Sequence, residues 1–392
     1  MKKIIIGFLL GVMAAGFAQA LDLELSGEIK TGFYAEQQVR EDGTNYRTMM
    51  FNNEEDSNAE RGGNRFRLGM GLQQGNFGLR MQLYQEDFRR KTSAGDPNVH
   101  RIQMDYAYAY GNLLNNQIKI SAGLLGESPW GSGGPKLLQE VETDAGGYSI
   151  MGIRFEFKPY FVPGLNVGFV LDRDNDAPAE QSKEKFGDIF QESILGIAYE
   201  HDYFALRFAY RFDRELESPA AVVYGTQFVY RLEERILGKL LPGMHIWANG
   251  FCKGIGAIEG PQGGRPQSFI KNWLYATYEP EYFNSGFEVR YEDWFESNAQ
   301  TLELRPYFYY KFFKNLLSVG MMGGMEMGLN ENGKSLEDAF YNFWFLEPQI
   351  KVNIGSNLSA ALVYRYTSGS FNSQNQKDQN THWVNIRVCY TF

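Results

Sequence analysis

Apolar and polar residues alternate one by one along stretch after stretch of this chain, and that period of two limits its fold more than any other feature. Between Asn64 and Gln73, Phe66, Leu68, Met70 and Leu72 alternate with Arg65, Arg67, Gly69, Gly71 and Gln73. Successive side chains of an extended strand point to opposite faces, so one face here is greasy and the other polar. The pattern returns over Phe77 to Glu86, where Phe77, Leu79, Met81 and Leu83 oppose Arg80, Gln82, Tyr84 and Glu86. It returns again over Tyr203 to Asp213, where Phe204, Leu206, Phe208, Tyr210 and Phe212 oppose Arg207, Arg211 and Asp213. Alternation by itself suits a soluble sandwich with one solvated face equally well.

Connection lengths separate the two. Roughly eighteen candidate strands of about ten residues can be counted, and that is the length a tilted strand needs to cross a bilayer. Long gaps run from Glu36 to Gly63, Arg89 to Val99, Glu127 to Gly147, Arg173 to Gln191, Gly254 to Ile270 and Ser368 to Thr381. Tight ones lie between them, at Gly75-Asn76, Asn112 to Asn116, His201-Asp202, Asn284-Ser285, Lys314-Asn315 and Gly355 to Asn357. Transmembrane barrels have this asymmetry, with long outer loops and short periplasmic turns. Glu233 to Gly243 is too long for a turn, and its Ile236, Leu237, Leu240 and Leu241 predict a small helix. Aromatics near strand ends, Tyr106, Tyr108 and Tyr110, then Phe308, Tyr310 and Phe312, then Phe340 and Trp344, are expected to face outward as interfacial girdles. An open sheet edge would leave unpaired backbone groups in hydrocarbon, so strand one, Asp22 to Gln37, must close against the last, His382 to Phe392.

The two ends of the chain agree with this. Lys2 and Lys3, the apolar run Ile4 to Phe17 and Ala18-Gln19-Ala20 read as a cleaved secretion signal over 1–20, leaving 21–392 as one barrel domain. That run is too short for a membrane helix, and no cysteine near Ala20 suggests a lipid anchor. Removing the signal with its two lysines takes the formal charge from −9 to −11, which argues against a nucleic-acid surface. Cys252 and Cys389 are too far apart in sequence to form a disulfide framework. The expected fold is all-β, a transmembrane antiparallel β-barrel of about eighteen strands with sixteen as the alternative, both ends at the periplasmic side of a bacterial outer membrane.

Signal peptide, immediate first strand, alternating loop lengths and a final amphipathic strand ending in Phe392 together resemble the outer-membrane porins of Gram-negative-type bacteria, over the whole mature chain. The resemblance implies that the third outer loop, Glu127 to Gly147, folds into the lumen. Its Glu127, Glu140, Glu142 and Asp144 would then face the lumen-parity arginines Arg65, Arg67, Arg80, Arg101 and Arg154 across a constriction, and such opposed charges tune ion selectivity. The implied function is a water-filled channel for passive diffusion of small polar solutes and ions. The implied partners are outer-membrane lipid and the barrel-assembly machinery, which would read the C-terminal strand ending in Phe392; monomer and homotrimer both stay open. Two alternatives are a long-chain fatty-acid or hydrophobic-solute transporter and a surface adhesin using the acidic stretch Asn52 to Glu60.

Chemistry finds no foothold, and neither enzyme activity, cofactor nor metal is expected. His100, His201, His245 and His382 lack the i, i+4 spacing of a zinc site. His201-Asp202 falls in a periplasmic turn. Asp172-Arg-Asp174-Asn-Asp176 begins like a calcium loop, but Ala177 stands where glycine is required and Lys183 where the closing glutamate belongs. Gly69, Gly71 and Gly75 have the wrong spacing to cradle phosphate.

Overall fold

The computed structural model describes residues 22–39, 45–50, 65–86, 102–125, 129–130, 150–172, 193–211, 226–255, 269–295, 298–330, 332, 340–371 and 379–392. The strands of the first half are β1 (Asp22–Val39), β2 (Asn45–Met50), β3 (Arg65–Gln74), β4 (Phe77–Glu86), β5 (Gln103–Leu113), β6 (Ile118–Leu125), β7 (Ile150–Phe157), β8 (Leu165–Asp172), β9 (Ile194–Glu200) and β10 (Phe204–Arg211). Those of the second half are β11 (Thr226–Glu234), β12 (Met244–Ile255), β13 (Phe269–Tyr278), β14 (Phe283–Trp294), β15 (Ala299–Phe312), β16 (Leu317–Gly328), β17 (Phe340–Ile354), β18 (Leu358–Phe371) and β19 (Gln379–Thr391). The expected helix is present as α1 (Ile236–Leu240), between β11 and β12.

All nineteen segments join one antiparallel sheet that closes on itself. They occupy eighteen positions around it, because β2 and β3 share one: β1 pairs with β2 over Tyr34–Val39 and with β3 over Asp22–Lys30. The stretch from Glu36 to Gly63 is therefore not a single outer loop. It contains the end of β1 and the six-residue β2, too short to announce itself by alternation. Residues 51–64, including the acidic stretch Asn52 to Glu60, lie outside the described residues. The outer connection between β14 and β15 is also short, at 295–298.

Closure takes the expected form. β1 pairs with β19 from Glu28↔Thr391 to Val39↔Asn380, and Gly27 and Phe392 exchange backbone hydrogen bonds of 2.9 and 3.0 Å at the seam. Both termini of the barrel thus lie on one rim, which also carries the tight turns and α1. His201-Asp202 sits in such a turn, between β9 and β10.

The pleat sends alternate residues in and out. On β9, Leu195 and Ile197 are exposed while Ile194 and Ala198 are buried. Large apolar residues cover the outside around the ring, among them Leu274, Phe287, Met321, Ile350, Leu362 and Ile386, whereas inward positions carry most of the buried polar groups. This is the surface of a barrel whose solvent is lipid.

Two girdle assignments differ in outcome. Phe308, Tyr310 and Phe312 on β15 and Trp344 on β17 do face outward; the side chain of Phe340 is outside the described residues. Tyr106, Tyr108 and Tyr110 instead face the lumen, paired with Gln82, Arg80 and Gly78. The cause is a bulge. Leu83 pairs with Met104 and Gln82 with Tyr106, so Asp105 is an extra residue that inverts the parity of everything after it. Met104 faces outward, and strict alternation would have carried the three tyrosines with it.

Candidate pore lining

The described inner wall carries several charged regions, two of which face each other across the ring. The first spans β3 to β7. Arg67 stands on β3, Arg80 on β4 and Arg154 on β7, all at inward positions, and the pairing gives Arg65 the same parity, though its side chain is outside the described residues. Arg80 is the most open of them: it lies 3.8 Å from Glu24, and both side chains are more than half exposed within the barrel. Arg154 is deeply buried. Its Nε lies 3.2 Å from Glu156, and its guanidinium sits 5.7 Å from the centre of the Tyr108 ring. Glu156 also draws Lys119 at 4.0 Å and Lys158 at 3.9 Å, and accepts a 3.3 Å hydrogen bond from Asn166. Lys119 lies 5.0 Å from the Tyr110 ring centre. The inverted tyrosines of β5 therefore serve as a floor for these cations, an arrangement that lowers the cost of burying them. Gln82 donates to Asp105 at 2.8 Å, which ties the bulge residue into the same wall.

The second region spans β13 to β18. Along one level, Trp273, Arg290, Glu303 and Glu326 are successive cross-strand partners. Arg290 pairs with Glu292 on its own strand and reaches Glu303 at 3.7 Å; Arg305 holds Glu303 at 2.5 Å, and Lys271 lies 3.7 Å from Glu292. Arg365 donates to Glu347 at 2.6 Å while lying 4.3 Å from the Phe345 ring and 5.0 Å from that of Trp383. Buried carboxylates are tolerated here because each of these cations sits between an acid and an aromatic face.

The ring places the regions opposite each other. Among eighteen positions, β5, β6 and β7 stand nine from β14, β15 and β16 respectively. Counting described inward side chains on β3 to β7, Arg67, Arg80, Lys119 and Arg154 against Asp105 and Glu156 leave two positive charges. On β13 to β18, Glu288, Glu292, Glu303, Glu326 and Glu347 stand among Lys271, Arg290, Arg305 and Arg365, with Lys311 and Lys351 nearer the turn rim, so this wall holds the larger number of acids but its charges are nearly balanced.

Of the residues expected at a constriction, Arg67, Arg80 and Arg154 are thus brought onto one wall. Arg101, Glu127, Glu140, Glu142 and Asp144 lie outside the described residues, and of the stretch Glu127 to Gly147 only Pro129 and Trp130 are described. Sequence reading missed Lys119, Glu156 and Lys158, and the whole facing wall. Its signal was present: Glu288-x-Arg290-x-Glu292 and Glu303-x-Arg305 place charges on one face of a strand. Among the described residues, no group of three or more His, Cys, Asp or Glu could hold a metal ion. Cys252 and Cys389, on β12 and β19, are not disulfide-bonded.

No protein-family model matches the chain, and no curated protein matches it. Solved structures do. OpdQ of Pseudomonas aeruginosa is 11% identical with a TM-score of 0.53, covering 95% of this chain and 98% of that one. An anion-selective porin from Comamonas acidovorans is 10% identical with a TM-score of 0.52, covering 95% of this chain and all of that one. The outer-membrane channel DcaP of Acinetobacter baumannii is 9% identical with a TM-score of 0.50, covering 96% of this chain and 98% of that one. The shared property is the fold, a closed transmembrane β-barrel of the kind seen in Gram-negative outer-membrane porins.

Proposed function

We propose that the chain is an outer-membrane porin, a channel for passive diffusion of small polar solutes and ions. The observation that carries this is a lumen lined by charged side chains on facing walls, Arg67, Arg80, Lys119 and Arg154 on one and Glu288, Glu292, Glu303 and Glu326 interleaved with cations on the other, nine positions apart in an eighteen-position barrel. Barrels of this size leave a lumen wider than their own side chains fill, and low-dielectric walls strengthen a field across it. Arg67, Arg80, Arg154 and Lys119 form the positive side of the selectivity region; Glu140, Glu142 and Asp144, on the loop after β6, are assigned to it by resemblance alone. Purified protein in a planar bilayer tests the reading. Stepwise conductance with an ion-selective reversal potential is the expected record, and a closed bilayer rejects it.

A further inference from the structure

Trp130 is buried completely, although it belongs to the connection leaving β6 rather than to a strand. Its indole rests on two glycines. A Cβ built on Gly168 would meet Cζ2 of the ring at 2.8 Å, and one built on Gly196 would fall inside the ring at Cγ, Cδ2 and Cε3. Gly168 and Gly196 are direct cross-strand partners on β8 and β9, and Gly196 faces Ala209 on β10. All three are inward positions, in step with the buried Val170, Ile194 and Ala198.

Glycine inside a strand is destabilising relative to alanine. Two glycines facing each other make a bare patch of backbone, a combination that marks close approach by another group. The group here is the indole, which restores the contacts the missing side chains would have made. β6 holds the fifth place in the ring, and β8 and β9 the seventh and eighth, so Trp130, five residues after Leu125, sits two to three strand positions away from it. The row that carries the notch continues through Glu156, the cross-strand partner of Gly168, into the positive wall.

We propose that Trp130 is the positioning residue of the pore: seated in the Gly168–Gly196 notch, it fixes the chain leaving β6 against the inner wall and so sets the open cross-section of the lumen at that level. The docking stands on geometry alone, whereas its effect on the cross-section rests on the channel reading above. A side chain at 196 reaches the ring atom attached to the Trp130 Cβ, so cysteines at 130 and 196 would have Cβ atoms within the roughly 4 Å that a disulfide spans.

The full-length protein, with Cys252→Ser and Cys389→Ser, is therefore made with Trp130→Cys and Gly196→Cys, and its folding verified by the change in gel mobility on boiling. Oxidation should close the pair, while Trp130→Cys with the outward-facing Leu195→Cys should stay open. Failure of the 130–196 pair in folded protein overturns the docking. In planar bilayers, Trp130→Ala and Gly196→Val should each lower single-channel conductance about twofold, since a chain released from the wall narrows the lumen and pore diameter controls conduction. The two combined should lower it no further, because both remove one contact. Wild-type conductance in both single variants overturns the role in the cross-section. A wild-type protein that opens no channel rejects the channel reading, and the pore half of this proposal with it, while the cross-link still reports on the docking.

Discussion

Glu156 shows how single residues determine what this wall can tolerate. It is the one acid that Arg154, Lys119 and Lys158 all approach, and it and Arg154 are almost wholly buried. Glu156→Gln keeps the shape and removes the charge. Leaving a buried cation without its counter-ion costs about 3–5 kcal/mol, so the urea midpoint of the folded barrel should fall markedly. The same variant should move the reversal potential toward anions, which a bilayer recording reads directly. Gly27 is held by a different constraint, because the Phe392 ring lies where its Cβ would be, with Cε1 at 2.7 Å. Gly27→Val should displace that ring and cost about 1–3 kcal/mol, as overpacking generally does. A lower temperature for loss of the compact gel band would register it; an unchanged one would show that the seam absorbs the methyl groups.

Single elements are governed by which solvent each face meets. β13 exposes Leu274 to lipid while Lys271, Trp273 and Tyr275 look inward. Leu274→Arg should therefore destabilise the barrel by about 2–4 kcal/mol, the usual cost of a cation near the bilayer midplane. Refolding into lipid vesicles across a denaturant series measures this, and a cost near zero would place Leu274 away from the hydrocarbon. Polar groups on the outer face have to be paired: the Tyr230 hydroxyl donates to Asn272 at 2.6 Å across the small Gly250. At the turn rim, Arg235 secures the corner that leads into α1, donating to Glu200 at 2.6 Å, to Glu233 at 3.0 Å and to the His201 carbonyl at 3.1 Å. That network explains how an apolar insertion between β11 and β12 is held at a rim otherwise made of tight turns. The β5 bulge is the counterpart within a strand, where one extra residue decides whether three tyrosines meet lipid or cations.

For the molecule as a whole, stability depends on closure. The ladder between β1 and β19 is twelve residues long, and in hydrocarbon both edges would be left unpaired without it. Deleting 380–392 should abolish the compact, boiling-sensitive gel species entirely rather than lower its stability by degrees. A truncated chain that still ran as a compact band would mean that β18 can close directly on β1.

Much of this architecture was already legible in the linear order of residues. Period two, ten-residue spacing and alternating connection lengths point to a closed barrel of about eighteen strands, because lipid admits extended chain only as a closed sheet of half-greasy strands. The lumen parity of Arg67, Arg80 and Arg154 was legible for the same reason, since a pleat assigns faces locally. Wherever the count of residues between strands changes, that local rule fails. The Asp105 bulge reverses the tyrosines, and β2 shares a ring position with β3 because β1 can pair with both. Partners across the barrel leave no local trace at all. That Glu288, Glu303 and Glu326 stand opposite Lys119 and Arg154 depends on the strand number at which the ring closes, and that Trp130 lands on Gly168 and Gly196 depends on where the chain turns after β6. Both are set by closure and packing in three dimensions, to which a pattern of neighbours along the chain is blind.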